Sequence, residues 1–256
     1  MRYRLTVEYQ GTRYHGWQGQ QNARTVQGEL LRAGRELFGA EVDVQGSGRT
    51  DAGVHALGQV AHLEAPRSLA AGRLVAGFND LLPPDINLLA AAAADPGFHA
   101  RHDAAGRSYL YQLSRRRTAF GKPFVWWIRD PLDAKAIAAT GRVFEGMHDF
   151  RSYCDADPAE GSTRVKLDRV QVEEAGDLVL VRVLGSHFLW KMVRRLVGVM
   201  AEVGRGNLRP ADAELFLREP SEVPARLTAP PSGLFLELVL YEGDEPPGPL
   251  RPVLNL

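Results

Sequence analysis

Apolar and polar residues alternate along the opening stretch R-Y-R-L-T-V-E-Y (2–9), and this two-residue period predicts a half-buried β-strand. A helical period follows in T-V-Q-G-E-L-L-R-A-G-R-E-L-F-G (25–39). There Thr25 is expected to cap the helix and Gly39 to end it. Strand-like runs at about 41–46 and 57–64, a helix at about 68–82 and an apolar stretch from Ile86 complete a strand, helix, strand, strand, helix, strand order.

The second half of the chain repeats this order. Its predicted elements are a strand at 107–113, a helix at 133–146, a hairpin of 165–174 with 177–185, helices at 189–203 and about 211–218, and a closing strand at 234–241. The split β-α-β-β-α-β order, met twice, predicts an α+β fold of two ferredoxin-like halves. We place these halves at 1–100 and 101–256. They are expected to form a mixed, mostly antiparallel sheet with helices on one side.

Composition narrows the class of protein. With 256 residues, 45% of them hydrophobic, the chain can fill a real core. No apolar run approaches membrane-spanning length. Because Cys154 is the sole cysteine, internal disulfides and multi-thiolate zinc sites are excluded, and we expect a soluble, cytoplasmic protein. The formal net charge of zero argues against indiscriminate nucleic-acid binding.

One loop concentrates the candidate chemistry. The stretch G-S-G-R-T-D-A-G-V-H-A-L-G (46–58) holds a lone acid, Asp51, among glycines, with Arg49 and His55 nearby. It lacks the Gly-Lys-Ser/Thr ending of a P-loop and the glycine spacing of a dinucleotide fingerprint, and Asp51 with His55 makes two metal ligands at best. Two interpretations remain open. Asp51 is either a turn residue of a hairpin loop or a single carboxylate that acts as nucleophile or base.

Other chemistry-bearing side chains fit ordinary structural roles. His99 and His102 lack an evident third metal ligand, His62 fits a strand position, and the Trp126-Trp127 pair fits a core or an interface. The run Arg115-Arg116-Arg117 fits either a phosphate contact or solvated loop charges.

The loop G-R-T-D-A-G-V-H-A closely resembles the signature of the TruA-type tRNA pseudouridine synthases. Further segments occur in the order typical of that family: Y-Q-G-T-R-Y-H-G-W-Q-G-Q (9–20), T-V-Q-G-E-L (25–30), L-P-P-D-I (82–86), F-H-A-R (98–101), H-D-F (148–150), F-L-W-K-M-V-R-R-L-V-G (188–198) and the strand from Ser232 to Tyr241. The resemblance therefore spans nearly the whole chain. Gln10, Trp190 and Lys191 depart from the family pattern, which affects only the details of RNA docking.

The resemblance implies an isomerase that converts uridine to pseudouridine at positions 38, 39 and 40 of the tRNA anticodon arm. The uridine would be flipped out of the RNA into a central RNA-binding cleft. The partner would be tRNA, the enzyme a homodimer, and no cofactor or metal would be required.

The resemblance also assigns roles to individual residues. Asp51 would be the nucleophile or base, and Arg194 its cationic partner. Tyr109 would stack on the uracil and take part in removing the C5 proton. The loop residues themselves, without the resemblance, indicate that Arg49 and His55 hold phosphates or ribose of a substrate around Asp51. Without the family motif, Tyr109 fits one face of a half-buried strand, and a helical wheel puts Arg194 and Arg195 together on a polar, solvated face.

Two other classes stay open from the residues alone. A non-catalytic RNA-binding protein would keep the sheet and the arginines without needing Asp51. An aspartate-nucleophile hydrolase would need a second acid or a metal, and the sequence offers neither in evident form.

Overall fold

The computed structural model describes residues 1–155 and 161–254. Ten strands and six α-helices lie in these described residues. They run β1 (Arg2–Tyr9), α1 (Val26–Phe38), β2 (Asp43–Gly46), β3 (His55–Glu64), α2 (Ala71–Leu81), β4 (Ile86–Ala93), β5 (Ala104–Ser114), β6 (Trp126–Trp127), α3 (Ala134–Val143), β7 (Gly146–Asp149), β8 (Arg164–Ala175), β9 (Leu178–Gly185), α4 (Met192–Gly204), α5 (Pro210–Arg218), α6 (Val223–Arg226) and β10 (Leu234–Tyr241). This is the α+β architecture expected from the sequence, with mixed but mostly antiparallel strand pairing.

The chain divides into two compact units, and the first consists of residues 1–105 together with 235–245. Its strands neighbour one another in the order β4-β1-β3-β2, all antiparallel. That is the ferredoxin-like arrangement predicted for the first half. As the alternating pattern indicated, β1 buries every second residue. Helix α1 begins at the N-cap Thr25 and ends at Gly39, which adopts a left-handed φ of 65°.

One edge of β3 pairs with two different strands. The short β2 pairs with the end of β3 that runs from Ala61 to Glu64. The beginning of β3, His55 and Ala56, pairs in parallel with Phe235 and Leu236 of β10. The last strand of the chain thus belongs to the first unit and lies beside the start of β3, where the loop containing Asp51 ends.

The second unit consists of residues 106–234 and the segment from Pro246 onward. Its strands follow the order β5-β9-β8-β7, with β6 parallel to β5. The predicted hairpin forms between β8 and β9. Helix α4 is the most buried helix of this unit, because Met192, Leu196, Val199 and Met200 are fully enclosed. The division at residue 100 stays a prediction.

No helix in the described parts of the chain is both long and apolar enough to cross a membrane.

Candidate active site

The backbone around Asp51 folds into a tight turn between β2 and β3. The Val54 amide donates a hydrogen bond of 3.1 Å to the Asp51 carbonyl, and Gly53 takes a left-handed φ of 78°, which glycine adopts at little steric cost. The Asp51 side chain is partly exposed. The turn therefore holds one carboxylate at a fixed place on the surface of the first unit.

A buried amide fixes the entry of this loop. The Gln59 side chain is fully buried. Its Nε2 donates to the Gly48 carbonyl at 2.8 Å, and its Oε1 accepts from the Gly48 amide at 3.3 Å. The Ser47 amide also donates to the Val60 carbonyl at 2.7 Å. These bonds tie the loop to β3 before it reaches Asp51, at a site where losing a partner would leave buried polar groups unsatisfied.

The loop after β1 supports the Asp51 turn from the other side. The Trp17 amide donates to the Thr50 carbonyl at 3.0 Å, and the Gly53 amide donates to the Tyr14 carbonyl at 3.3 Å. These bonds reach the residues on both sides of Asp51. The Y-Q-G-T-R-Y-H-G-W motif, found far from Asp51 in sequence, is thus part of the same local structure.

Glycines allow the two loops to approach this closely. A Cβ on Gly11 would lie 1.9 Å from the Val54 carbonyl oxygen, and a Cβ on Gly16 would lie 2.4 Å from the Thr50 carbonyl oxygen. Neither contact is sterically possible. The loop after β1 therefore needs glycine at both positions for backbone to meet backbone.

Tyr14 anchors the same loop to the connection between α2 and β4. Its hydroxyl donates to Oδ1 of Asp85, and the Arg24 guanidinium lies 4.9 Å from the centre of its ring. Burial, followed by the hydrogen bond to Asp85, raises the pKa of Tyr14 well above its ordinary value. The Tyr14 phenol therefore stays protonated at neutral and moderately alkaline pH, where it can donate this hydrogen bond.

Arg49 and His55 occupy different environments in the loop. The Arg49 side chain is exposed, whereas His55 is 1% exposed. The His55 ring accepts a hydrogen bond of 3.0 Å from the Gly11 amide and stacks on Phe235 at 4.8 Å. This ring supports the loop after β1 from inside the unit. Contact of either residue with a substrate stays a prediction.

In the second unit, Tyr109 lies on β5 opposite Val183 of β9. Its ring is largely buried and packs edge-on against Phe188 with 5.0 Å between the ring centres. Phe188 belongs to the F-L-W-K-M-V-R-R segment that leads into α4. The expectation of a half-buried strand around Tyr109 is wrong, because every residue of β5 from 106 to 114 is buried and both faces of the strand are therefore covered. The role of Tyr109 in chemistry stays a prediction.

Arg194 lies on α4 close to the neighbouring aromatic position of β5. Its Nε donates to the Ala229 carbonyl at 2.7 Å, while the Tyr111 hydroxyl donates to the adjacent Pro230 carbonyl at 2.8 Å. Burial raises the pKa of Tyr111, and the charge of Arg194 opposes that rise. The segment at 229–230 thus holds both side chains, with Arg194 partly exposed.

The interpretation of Arg194 and Arg195 as two equivalent solvated residues is wrong for Arg195. That side chain is 6% exposed; its guanidinium donates to the Cys154 carbonyl and pairs with Asp155. Lys191 also pairs with Asp155, and these two cations lower the pKa of the carboxyl group, the Lys191 hydrogen bond contributing most. Arg195 is therefore engaged in holding its own unit together.

The remaining candidate side chains have partners among the described residues. His62 is buried and packs edge-on against His99, which in turn contacts His102. Within the described parts of the chain no cluster of acids, histidines and cysteine is suited to hold a metal ion. Arg115 pairs with Glu174 and Arg116 with Asp177.

Comparison with known proteins identifies relatives along most of the chain. A family model described as tRNA pseudouridine synthase matches residues 5–103 and 142–242. A tRNA pseudouridine synthase A of Pelobacter propionicus is 39% identical over 240 residues, which cover 93% of this chain and 98% of the relative. The enzyme of that name from Myxococcus xanthus is 41% identical over 251 residues, covering 96% of this chain and 94% of the relative. A chain in the crystal structure of a Cbf5-Nop10-Gar1 complex is 14% identical and gives a TM-score of 0.36, covering 78% of this chain and 45% of that chain. A likeness that low supports no argument.

Proposed function

Because the chain belongs to the tRNA pseudouridine synthase family, we propose that it isomerises uridine to pseudouridine at positions 38, 39 and 40 of the tRNA anticodon arm. The observation that carries this proposal is the turn at Asp51. Hydrogen bonds from Trp17 and Gly53 flank it, and it presents a single partly exposed carboxylate. The loop after β1 supports this turn, and the buried Gln59 of β3 fixes the residues that lead into it.

The reaction exchanges one bond of the nucleotide for another. The N1–C1′ bond of uridine breaks, the freed uracil turns, and a C5–C1′ bond forms. The proton on C5 then leaves and N1 gains one, so the product has the same atoms as the substrate. No electron donor or acceptor is needed. Asp51 either attacks C1′ and is displaced when the C5–C1′ bond forms, or removes a ribose proton that returns to the sugar before the product leaves.

Tyr109 and Arg194 are assigned to the same reaction. Tyr109 stacks on the extruded uracil and takes part in removal of the C5 proton. Arg194 is the cationic partner of the carboxylate in this proposal, since a cation brought close to a carboxyl group favours its charged form. Its Nε donates a hydrogen bond to the Ala229 carbonyl, which ties the side chain to α4's neighbouring segment.

Substrate binding involves Arg49 and His55 in this proposal. Exposed Arg49 contacts phosphate directly, and His55 acts from within the unit by supporting the loop. The enzyme works in the cytoplasm as a homodimer that binds one tRNA across its two copies, in a central cleft.

The proposal is tested by mapping pseudouridine in an unmodified tRNA transcript after incubation with the purified enzyme. Transcripts carry uridine at 38, 39 and 40, and matched transcripts carry cytidine at one of the three. We expect pseudouridine at each uridine and nowhere else in the arm. Conversion only outside these positions would contradict the site assignment, and absence of any conversion would contradict the function.

A further inference from the structure

An exposed loop of the second unit combines aromatic and basic side chains. This aromatic-basic loop runs from Arg115 to Arg129, between the end of β5 and the residues after β6. Phe120 at its tip is 94% exposed, and Trp127 is 41% exposed. A single exposed ring is ordinary, so what distinguishes this loop is the combination of exposed rings with basic side chains.

The loop has a defined structure that holds Phe120 outward. The Gly121 amide donates to Thr118 Oγ1 at 3.0 Å, and the Phe124 amide donates to the Gly121 carbonyl at 2.8 Å. The Ile128 amide donates to the Ser114 carbonyl at 2.9 Å and closes the loop onto β5. Because Gly121 itself is buried, the backbone turns inward directly after Phe120. The backbone that carries Phe120 is therefore fixed by hydrogen bonds.

Three cations of the loop have no carboxylate partner among the residues that the structure describes. These cations are exposed and form no ion pair with any described residue: Arg117, Lys122 and Arg129. Arg117 instead lies 5.8 Å from the centre of the Trp127 ring. The neighbouring Arg115 and Arg116, by contrast, are neutralised by acids on the β8–β9 hairpin. The tip and far side of the loop therefore carry excess positive charge.

We propose that the aromatic-basic loop is a second RNA-contact surface of this enzyme, which rests on the proposed action on tRNA. The ring of Phe120 takes an unstacked base, and Arg117, Lys122 and Arg129 contact the phosphates on either side. Stacking on aromatic side chains combined with basic contacts to the backbone is the common way in which proteins hold unpaired nucleotides. The loop lies outside all the motifs assigned to catalysis.

Charge favours RNA over a second copy of the chain as the occupant. A symmetric contact between two copies places the same patch on both sides. It would bring Arg117, Lys122 and Arg129 of one copy against those of the other. Like charges held together oppose association, whereas an RNA strand supplies a phosphate for each cation.

The test measures binding of unmodified tRNA by full-length protein at several salt concentrations. We expect Phe120→Ala to raise Kd about tenfold, in line with the usual loss of one stacked base. The double variant Arg117→Ala/Lys122→Ala should lower the slope of log K against log salt by about 1 to 2, since each phosphate contact contributes about 1. The value of kcat at saturating tRNA should not change.

Matched controls are Leu215→Ala and Lys135→Ala, both exposed positions of the same unit, and these should bind as the unsubstituted protein does.

A photo-crosslinking residue at position 120 identifies the occupant directly. A crosslink to tRNA supports the proposal. A crosslink to a second copy, together with dissociation of an oligomer by Phe120→Ala, would overturn it in favour of self-association. Unchanged tRNA binding by both loop variants would also overturn it. If the unsubstituted protein binds tRNA but forms no pseudouridine, the proposed function fails while the loop is still tested by binding.

Discussion

The hydroxyl groups of Tyr9 and Thr50 share a buried hydrogen bond of 2.8 Å, which joins the end of β1 to the residue before Asp51. Tyr9 is 41 residues away from Thr50 in the chain. This bond connects the first strand, whose position is fixed by the sheet, to the loop that presents the carboxylate. The orientation of Asp51 therefore depends on side chains outside its own loop.

Tyr9→Phe and Thr50→Val each remove one of these hydroxyls and leave the other buried without this partner. We expect each to lower the free energy of unfolding by about 1 to 3 kcal/mol. The double variant should lose less free energy of unfolding than the two single variants lose together, because it removes both hydroxyls and leaves neither one unpaired. Urea unfolding of the four proteins measures this coupling. Strict additivity would show that the bond contributes nothing.

The same pair should affect catalysis. A carboxylate displaced by a fraction of an ångström loses part of its advantage, and we expect Tyr9→Phe to lower kcat about tenfold, less than the roughly 100-fold cost of a 1 Å misplacement. Tritium release from a C5-labelled tRNA measures kcat. An unchanged kcat in a destabilised variant would show that the bond supports folding alone.

Gly46 gives a sharp test of packing beside the loop. A Cβ at this position would lie 2.5 Å from the ring of the buried Trp17. Gly46→Ala should therefore destabilise the protein by about 1 to 3 kcal/mol, as overpacking of a filled interior usually does. The matched control is Gly72→Ala on α2, where an added Cβ meets nothing within 4 Å. There alanine should be neutral or stabilise by about 0.5 kcal/mol. Equal effects in thermal unfolding would contradict the close contact.

His62 makes stability depend on acidity. Burial is the main cause that lowers the pKa of His62, and the charges of His99 and Arg2 lower it further. The carboxylates of Asp43 and Glu64 act in the opposite direction. Because the unfolded chain takes up the proton first, the stability that His62 contributes is present above its unfolded pKa, near 6.5, and is lost as pH falls.

His62→Gln removes this titration and keeps an acceptor for the Ala100 amide, which bonds the His62 ring at 3.2 Å. Between pH 6.5 and 5, the free energy of unfolding should fall less steeply in the variant, by up to about 1.4 kcal/mol per pH unit. Denaturant unfolding at each pH measures the slope. Parallel curves would show that His62 titrates normally in the folded protein.

Tyr153 should make the free energy of unfolding fall as pH rises into the alkaline range. Its hydroxyl donates to the Ala213 carbonyl at 2.9 Å, and burial raises its pKa well above the ordinary value. The unfolded chain loses this proton first, so the stability is fully present below about pH 10 and is lost as pH rises. In Tyr153→Phe, the free energy of unfolding should therefore fall less steeply with rising pH, by up to about 1.4 kcal/mol per pH unit. Unfolding curves from pH 9 to 11 that stay parallel would contradict this.

Periodic patterns were sufficient to predict most of the fold. The alternation of β1, the Thr25 cap and the Gly39 end of α1 are local features, and the structure confirms them. The parallel pairing of β10 with the start of β3 was not predicted, because element order does not state which strands are neighbours. The two-residue β6 is also too short to give a pattern.

Some features of the candidate site could likewise be predicted from the sequence, and others could not. The sequence motif identified Asp51 as the residue of interest, but the support from Tyr9, Tyr14 and Trp17 depends on contacts distant in sequence. The helical wheel treated Arg195 as solvated because it considers one helix alone. Its partners, Cys154 and Asp155, lie on a segment about forty residues earlier and bury the charge by pairing it.

The most direct measurement follows tritium release from C5-labelled uridine in unmodified tRNA, with the unsubstituted protein, Asp51→Asn and the matched control Asp43→Asn at an exposed position of β2. We predict full release by the unsubstituted protein and by Asp43→Asn. Asp51→Asn should be slower by about 10⁴-fold or more, as is usual when a nucleophile is removed, with tRNA binding retained. Release by Asp51→Asn at a rate near that of the unsubstituted protein would contradict the assignment of this carboxylate to the reaction.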